Sequence, residues 1–312
     1  MPTEGLLVVH MVTGVKIRSG VCYKRLLLAF LLLIVVLVSL CVYPLIMGVG
    51  NVSLEGAVHV GSEAELNSAV KAVRKGGSAV IALNNDITLT NSQLLISDKK
   101  DITLTSNRTD GAFFRLIGAV KDNHNKPTIS VYGGGLVRLK GIIVTHEENI
   151  SGSGVRISRD GMLIMYGGKI SGNHVYDFVI SGNNVGYGGG VRNEGGFFKM
   201  YGGEISGNSA GRDGGGVHNG VFSHGKFSMF GGKITNNTAG RDGGGVFNYG
   251  DGSFYQFGGW IFGNTAPNHN NICNKNYTMT LLYTIIFASI IIGSFGAVFL
   301  IQKRKSKENK KQ

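Results

Sequence analysis

An eight-residue phrase, aromatic-Gly-Gly-x-Ile-x-x-Asn, returns four times between residues 166 and 264, and few folds are open to a chain that repeats itself on that scale. The copies are Tyr166 to Asn173, Tyr201 to Asn208, Phe230 to Asn237 and Phe257 to Asn264, spaced 35, 29 and 27 residues apart. A second phrase, Gly-Gly-Gly-Val-x-Asn, ends at Asn193, Asn219 and Asn248. A third, alternating stretch precedes each aromatic: Leu163 and Met165, Phe198 and Met200, Phe227 and Met229, Phe254 and Gln256. Apolar residues at every second position, flanking Lys199 and Ser228, describe strands with one buried face. Three such strands cannot bury that face within a single repeat, so each repeat must lie on the next, about 4.8 Å away. The periodicity therefore predicts an all-β stack of three-strand coils, a parallel β-helix. Glycine, 50 of 312 residues, falls at the corners, where Asn also tolerates a left-handed backbone, and only 4 prolines exclude collagen.

Stacking predicts ladders of equivalent residues: Ile170, Ile205, Ile234 and Ile261 inside, and Asn173, Asn208, Asn237 and Asn264 at a turn, hydrogen-bonded along the axis. The outward residues Lys169, Glu204 and Lys233 alternate in sign from coil to coil, which is favourable laterally. Upstream, Asp86 to Thr90, Leu94 to Ser97, Asp101 to Thr105, Phe113 to Ile117, Thr128 to Tyr132 and Leu136 to Thr145 read as the first strands. Glu63 to Lys75 has apolar residues at helical spacing behind Ser62 as N-cap, with Gly76-Gly77 as a stop, and is expected to cap the open end. The β-helix is thus placed at 78–272, after a linker and capping helix at 48–77, with about eight coils and a length of roughly 40 Å.

The net charge of +12 is concentrated at the ends. Lys16, Arg18, Lys24 and Arg25 precede a charge-free apolar segment at 26–47, and a second such segment, 281–301, is followed by Lys303, Arg304, Lys305, Lys307, Lys310 and Lys311. Each is about the ~20 residues that cross a bilayer, and basic flanks on both outer sides place the termini in the cytoplasm. The sequence thus divides into a basic N-terminus at 1–25, a transmembrane anchor or signal peptide at 26–47, the exported middle, a juxtamembrane linker at 273–280, a transmembrane helix at 281–301 and a basic tail at 302–312. The expected partner of this charge is the anionic bilayer surface rather than nucleic acid. Asn51, Asn107, Asn149, Asn236 and Asn276 are glycosylation acceptors by sequence, all between the two apolar segments. Three cysteines, Cys22, Cys41 and Cys273, give neither a disulfide framework nor a thiolate metal site, and no cofactor is expected.

The phrases Gly-Gly-x-Ile-Ser-Gly-Asn and Gly-Gly-Gly-Val-x-Asn, behind the opening Ala-Val-Ile-Ala-Leu-Asn-Asn-Asp-Ile-Thr-Leu, resemble the pectin-lyase-like, right-handed parallel β-helix surface proteins of archaea and bacteria called adhesin-like proteins. The resemblance covers roughly residues 58 to 272 and implies the right hand of the coil and a role at the plasma membrane's outer surface. That superfamily includes polysaccharide lyases and hydrolases as well as adhesins, so the resemblance leaves activity open.

Catalytic members of the superfamily carry clustered carboxylates on an outer face. Here the one ordered acidic pair is Asp213 and Asp242, in Gly-Arg-Asp-Gly-Gly-Gly turns 29 residues apart, each with its own Arg212 or Arg241, and read as solvated turn residues. His174, His218 and His224 lack a carboxylate at ligand spacing and read as exposed turn histidines. The Gly-rich run at Gly186 is not followed by a helical pattern, which removes a phosphate-loop reading. The last coil gathers Phe247, Tyr249, Phe254, Tyr255, Phe257, Trp260 and Phe262, including the single Trp, either to close the stack or to present outward Phe247, Tyr255 and Trp260 to a ligand. The leading expectation is a non-catalytic adhesion scaffold for extracellular polysaccharide or surface proteins, the alternative an exported polysaccharide lyase or glycoside hydrolase.

Overall fold

The computed structural model describes residues 54–108, 112–121, 125–177, 179–180, 183–184, 186–220 and 224–274. Among these the chain is all-β apart from one helix, and its strands lie in stacked parallel sheets, an arrangement compatible with a β-helix. A large sheet has 13 strands, a second has 7 and a third, of two-residue strands, has 3. The pairing partners come from successive repeats: Phe197–Met200 lies between Met162–Ser171 and Lys226–Met229, and Lys226–Met229 pairs in turn with Ser253–Gln256. A short antiparallel pair, Val179–Ile180 with Asn183–Asn184, interrupts the parallel pattern.

Every second residue of these strands points into a continuous apolar core, as the alternation requires. Ile170, Ile205, Ile234 and Ile261 stand in register, the first three fully buried. Phe198, Phe227 and Phe254 form a second interior column with ring centroids 4.5 and 4.8 Å apart. In the large sheet Met162–Ser171 runs past its aromatic-Gly-Gly corner, pairing with the long Leu136–His146 through register shifts there, whereas later repeats break at that corner into two strands. The second glycine of the phrase explains that corner: Gly203 has φ +83°, and a Cβ on it would sit 2.9 Å from the carbonyl oxygen of Gly168 in the repeat before.

The Asn column is as expected in register but differs in its reason. The left-handed corner residue is the one before it, Gly172, Gly207, Asn236 or Gly263, and the ladder asparagines are buried. Asn173, Asn208 and Asn237 each donate Nδ2 to Oδ1 of the next, at 2.8, 2.9 and 2.9 Å, so their amides replace water for one another. A second ladder, Asn193 to Asn219 to Asn248 to Asn274, runs at 2.7, 2.6 and 3.0 Å.

The helix α1 (Glu63–Ala72) starts where expected, with Ser62 Oγ accepting from the Glu65 N–H at 3.2 Å, and ends three residues earlier than the Lys75 anticipated, because Val73 already has extended backbone. Leu66 and Val70 enter the same core as the strands, so α1 covers the N-terminal end of the sheets. Among the described residues no helix is long and apolar enough to cross a membrane, and the apolar segments 26–47 and 281–301 lie outside the described residues. Of the glycosylation acceptors, Asn107, Asn149 and Asn236 are exposed, while Asn51 and Asn276 also lie outside the described residues.

Candidate functional site

Three outward columns run along the large sheet, set by the same parity that sends the alternate residues inside. One holds Lys199, Ser228 and Tyr255. The second holds Lys169, Glu204, Lys233 and Trp260, the third Ser171, Ser206, Thr235 and Phe262. The first column begins at the apolar Ile164, but in the second and third repeats all three carry charges and hydroxyls, Thr235 among them being buried. Lys169 and Glu204 approach to 3.5 Å, and the hydrogen bond from Ser206 together with Lys169 holds the Glu204 carboxyl below its ordinary pKa. In the last repeat all three columns become aromatic. Trp260 is 70% exposed and Phe262 49%, and Tyr255 is half-buried with its ring 6.3 Å from that of Phe257.

The corner aromatics add a fourth column. Tyr166, Tyr201, Phe230 and Phe257 stack at 5.4, 4.8 and 5.0 Å and within 12° of parallel, with Lys140 Nζ 5.0 Å from the first ring. Rings so stacked cover one another's faces and show solvent their edges. The exception is Phe257, last in the column and 60% exposed, which joins Trp260 and Phe262 in one apolar patch. At the opposite end of the same sheet a groove of about 430 Å³ is lined by Thr88, Arg115, Thr145, His146, Glu147 and Ser171 among others. Its two basic groups are engaged: Arg115 with Asp86 at 2.8 Å, and His146 through Nδ1 with Asn173 and Nε2 with the Lys126 carbonyl.

Phe247 does not belong to the patch. It alternates with the inward Val246 and Asn248, but it is only 1% exposed, because the Arg-Asp-Gly-Gly-Gly turn folds back over that face: a Cβ on Gly243 would stand 2.9 Å from the Phe247 Cβ. Under the same cover lie groups read from the sequence as exposed. His218 is fully buried between Tyr187 and Phe247, with ring centroids 4.9 Å away on each side, and burial, reinforced by Arg192 and Arg241, pushes its pKa well down. Asp213 and Asp242 are buried rather than solvated, and they stand in register. The counter-charge crosses between repeats: Arg241 grips the Asp213 carboxylate with Nε at 2.8 Å and with Nη2, and its Nε is 3.4 Å from Asp242. Burial raises the Asp213 pKa against the pull of Arg241. A retaining glycosidase needs two carboxylates presented to substrate; this pair is covered and bound to arginine. His174 and His224 are exposed as expected, the first against the Ser209 hydroxyl and the second 3.6 Å from Asp251.

No protein-family model matches this chain, and no curated protein or solved structure matches it.

Proposed function

We propose that the described region is a right-handed parallel β-helix, exported and held at the cell surface by the apolar segments 26–47 and 281–301, and that it acts as a non-catalytic adhesion scaffold. Its ligand-binding surface is the aromatic patch of Tyr255, Phe257, Trp260 and Phe262, which takes up extracellular polysaccharide or an apolar patch on a surface protein. Parallel pairing of each strand with its counterpart one repeat away supports the coil. The observation that carries the binding reading is the change of the outward columns from Ser228, Lys233 and Thr235 to Tyr255, Trp260 and Phe262. Closing the end of a stack calls for large residues on the inward positions; these three are on the outward ones, where bare rings gain nothing unless something covers them.

The test is retention of a panel of acidic and neutral polysaccharides, and of cell-surface protein extract, on the full-length chain in vesicles. Trp260→Ala is expected to cut retention about tenfold, the ~1.4 kcal/mol of one exposed ring contact. Unchanged retention by that variant rejects the patch. Release of new reducing ends or unsaturated sugars replaces the scaffold with the lyase or hydrolase reading.

A further inference from the structure

The last described turn departs from the repeat at two positions that face each other. Gly188, Gly214 and Gly243 occupy equivalent places with φ of 66°, 71° and 63°, and the fourth equivalent is His269, held at φ 54°. A side chain there is uncommon, since a left-handed backbone favours glycine. Opposite it, the column Arg192, His218, Phe247 ends in Cys273, a small residue where bulky ones precede it. Both replacements turn toward Asp242 of the preceding repeat. His269 Nδ1 lies 3.1 Å from Asp242 Oδ1, and a ring nitrogen of His269, a carboxylate oxygen of Asp242 and the Cys273 sulfur are all within 4.8 Å of one another. The other carboxylate oxygen, Oδ2, faces Arg241 Nε at 3.4 Å, so the Oδ1 side points at the histidine.

We propose that Asp242, His269 and Cys273 form a zinc-binding site that ties the last turn to the repeat before it. Two ligands each about 2.0 Å from a tetrahedral zinc are roughly 3.3 Å apart, close to the separation of Nδ1 and Oδ1 here. One thiolate, one imidazole and one carboxylate select a borderline ion such as zinc over magnesium or calcium, which take oxygen sets. Cys273 as thiolate and Asp242 supply two negative charges to match the ion, with Arg241 shared between Asp242 and Asp213. Binding displaces the Cys273 thiol proton to solvent, so affinity rises with pH. Three protein ligands leave the fourth position to water. The inference does not rest on the aromatic patch.

Cobalt(II) is the probe, titrated into the untagged full-length chain in detergent. The expected result is one equivalent bound, with visible bands of tetrahedral intensity and a near-ultraviolet sulfur charge-transfer band, both bleached by one equivalent of zinc. Cys273→Ser removes the charge-transfer band. His269→Gly, which restores the residue of the other three repeats and so protects the fold, weakens cobalt binding at least tenfold and abolishes the rise in Tm that zinc gives the parent. A parent without the spectrum, a charge-transfer band that survives Cys273→Ser and so comes from Cys22 or Cys41, or a His269→Gly variant that binds cobalt as tightly as the parent overturns the proposal.

Discussion

A buried histidine makes the stability of this protein depend on pH near neutrality. His218 is buried and sits beside Arg192 and Arg241, so it stays neutral in the folded chain well below the 6.5 at which it titrates when unfolded. The unfolded chain therefore binds a proton that the folded chain refuses, and stability against unfolding falls as pH drops below 6.5. By pH 5.5 the loss for this one residue is on the order of 1 kcal/mol. His146, also pushed down by burial though it keeps hydrogen bonds to Asn173 and the Lys126 carbonyl, adds a smaller loss of the same sign. Asp213 works oppositely, since its folded pKa is raised above 3.8 and acid favours the folded form through it. His218→Phe isolates the first effect, because Phe247 fills the same place one repeat on. Unfolding free energies from urea titrations at pH 7.5 and 5.5 should then differ by less in the variant than in the parent, by on the order of 1 kcal/mol; an equal difference would show that His218 is protonated in the fold.

At the scale of elements, stability resides in columns that no single strand contains. Asn208 receives Asn173 Nδ2 and its backbone N–H on one carboxamide oxygen, while its own Nδ2 donates to Asn237 and to the Ile170 carbonyl. Asn208→Ala leaves buried donors and acceptors above and below without partners, a cost of about 2–4 kcal/mol, and the urea midpoint of the full-length variant measures it. A loss under 1 kcal/mol would mean that water replaces the ladder. These columns were legible in the sequence because Ile, Asn and Gly recur at one offset, which supplied register and corners together. Side-chain parity was legible as well, but parity tells which face a residue is on and not what covers that face. Phe247, His218, Asp213 and Asp242 were misplaced for that reason, since the glycine turn that covers them shows in sequence as flexibility rather than as a lid. The switch of Ser228, Lys233 and Thr235 to Tyr255, Trp260 and Phe262 was present in the sequence, and only registering all three columns at once separates it from a local excess of aromatics. Asp242, His269 and Cys273 were illegible, because their spacing crosses a repeat boundary and matches no ligand motif.

For the described region as a whole, the coil stack proposed above makes a demand that an ordinary β-domain does not: whole repeats are removable and fractions of repeats are not. Ser209 and Thr238 are partners in register, so deleting residues 209–237 joins Asn208 to Thr238 without shifting any column. Phe198 then faces Phe254, Ile205 faces Ile261, Asn193 faces Asn248, and Arg241, losing Asp213, keeps Asp242. The shortened chain should remain folded and unfold in one transition, with a denaturant m value lower by roughly an eighth, in line with the surface removed. Deleting only residues 209–222 removes the inward Val217 and Asn219 but leaves Phe227 and Ile234 one strand out of step with their neighbours, turning apolar side chains toward water along the rest of the stack. That variant should show little β signal in far-ultraviolet circular dichroism and no cooperative transition. If the half-repeat deletion melts as sharply as the whole-repeat deletion, successive repeats do not depend on register, and the coil reading fails along with the placement of the aromatic patch that depends on it.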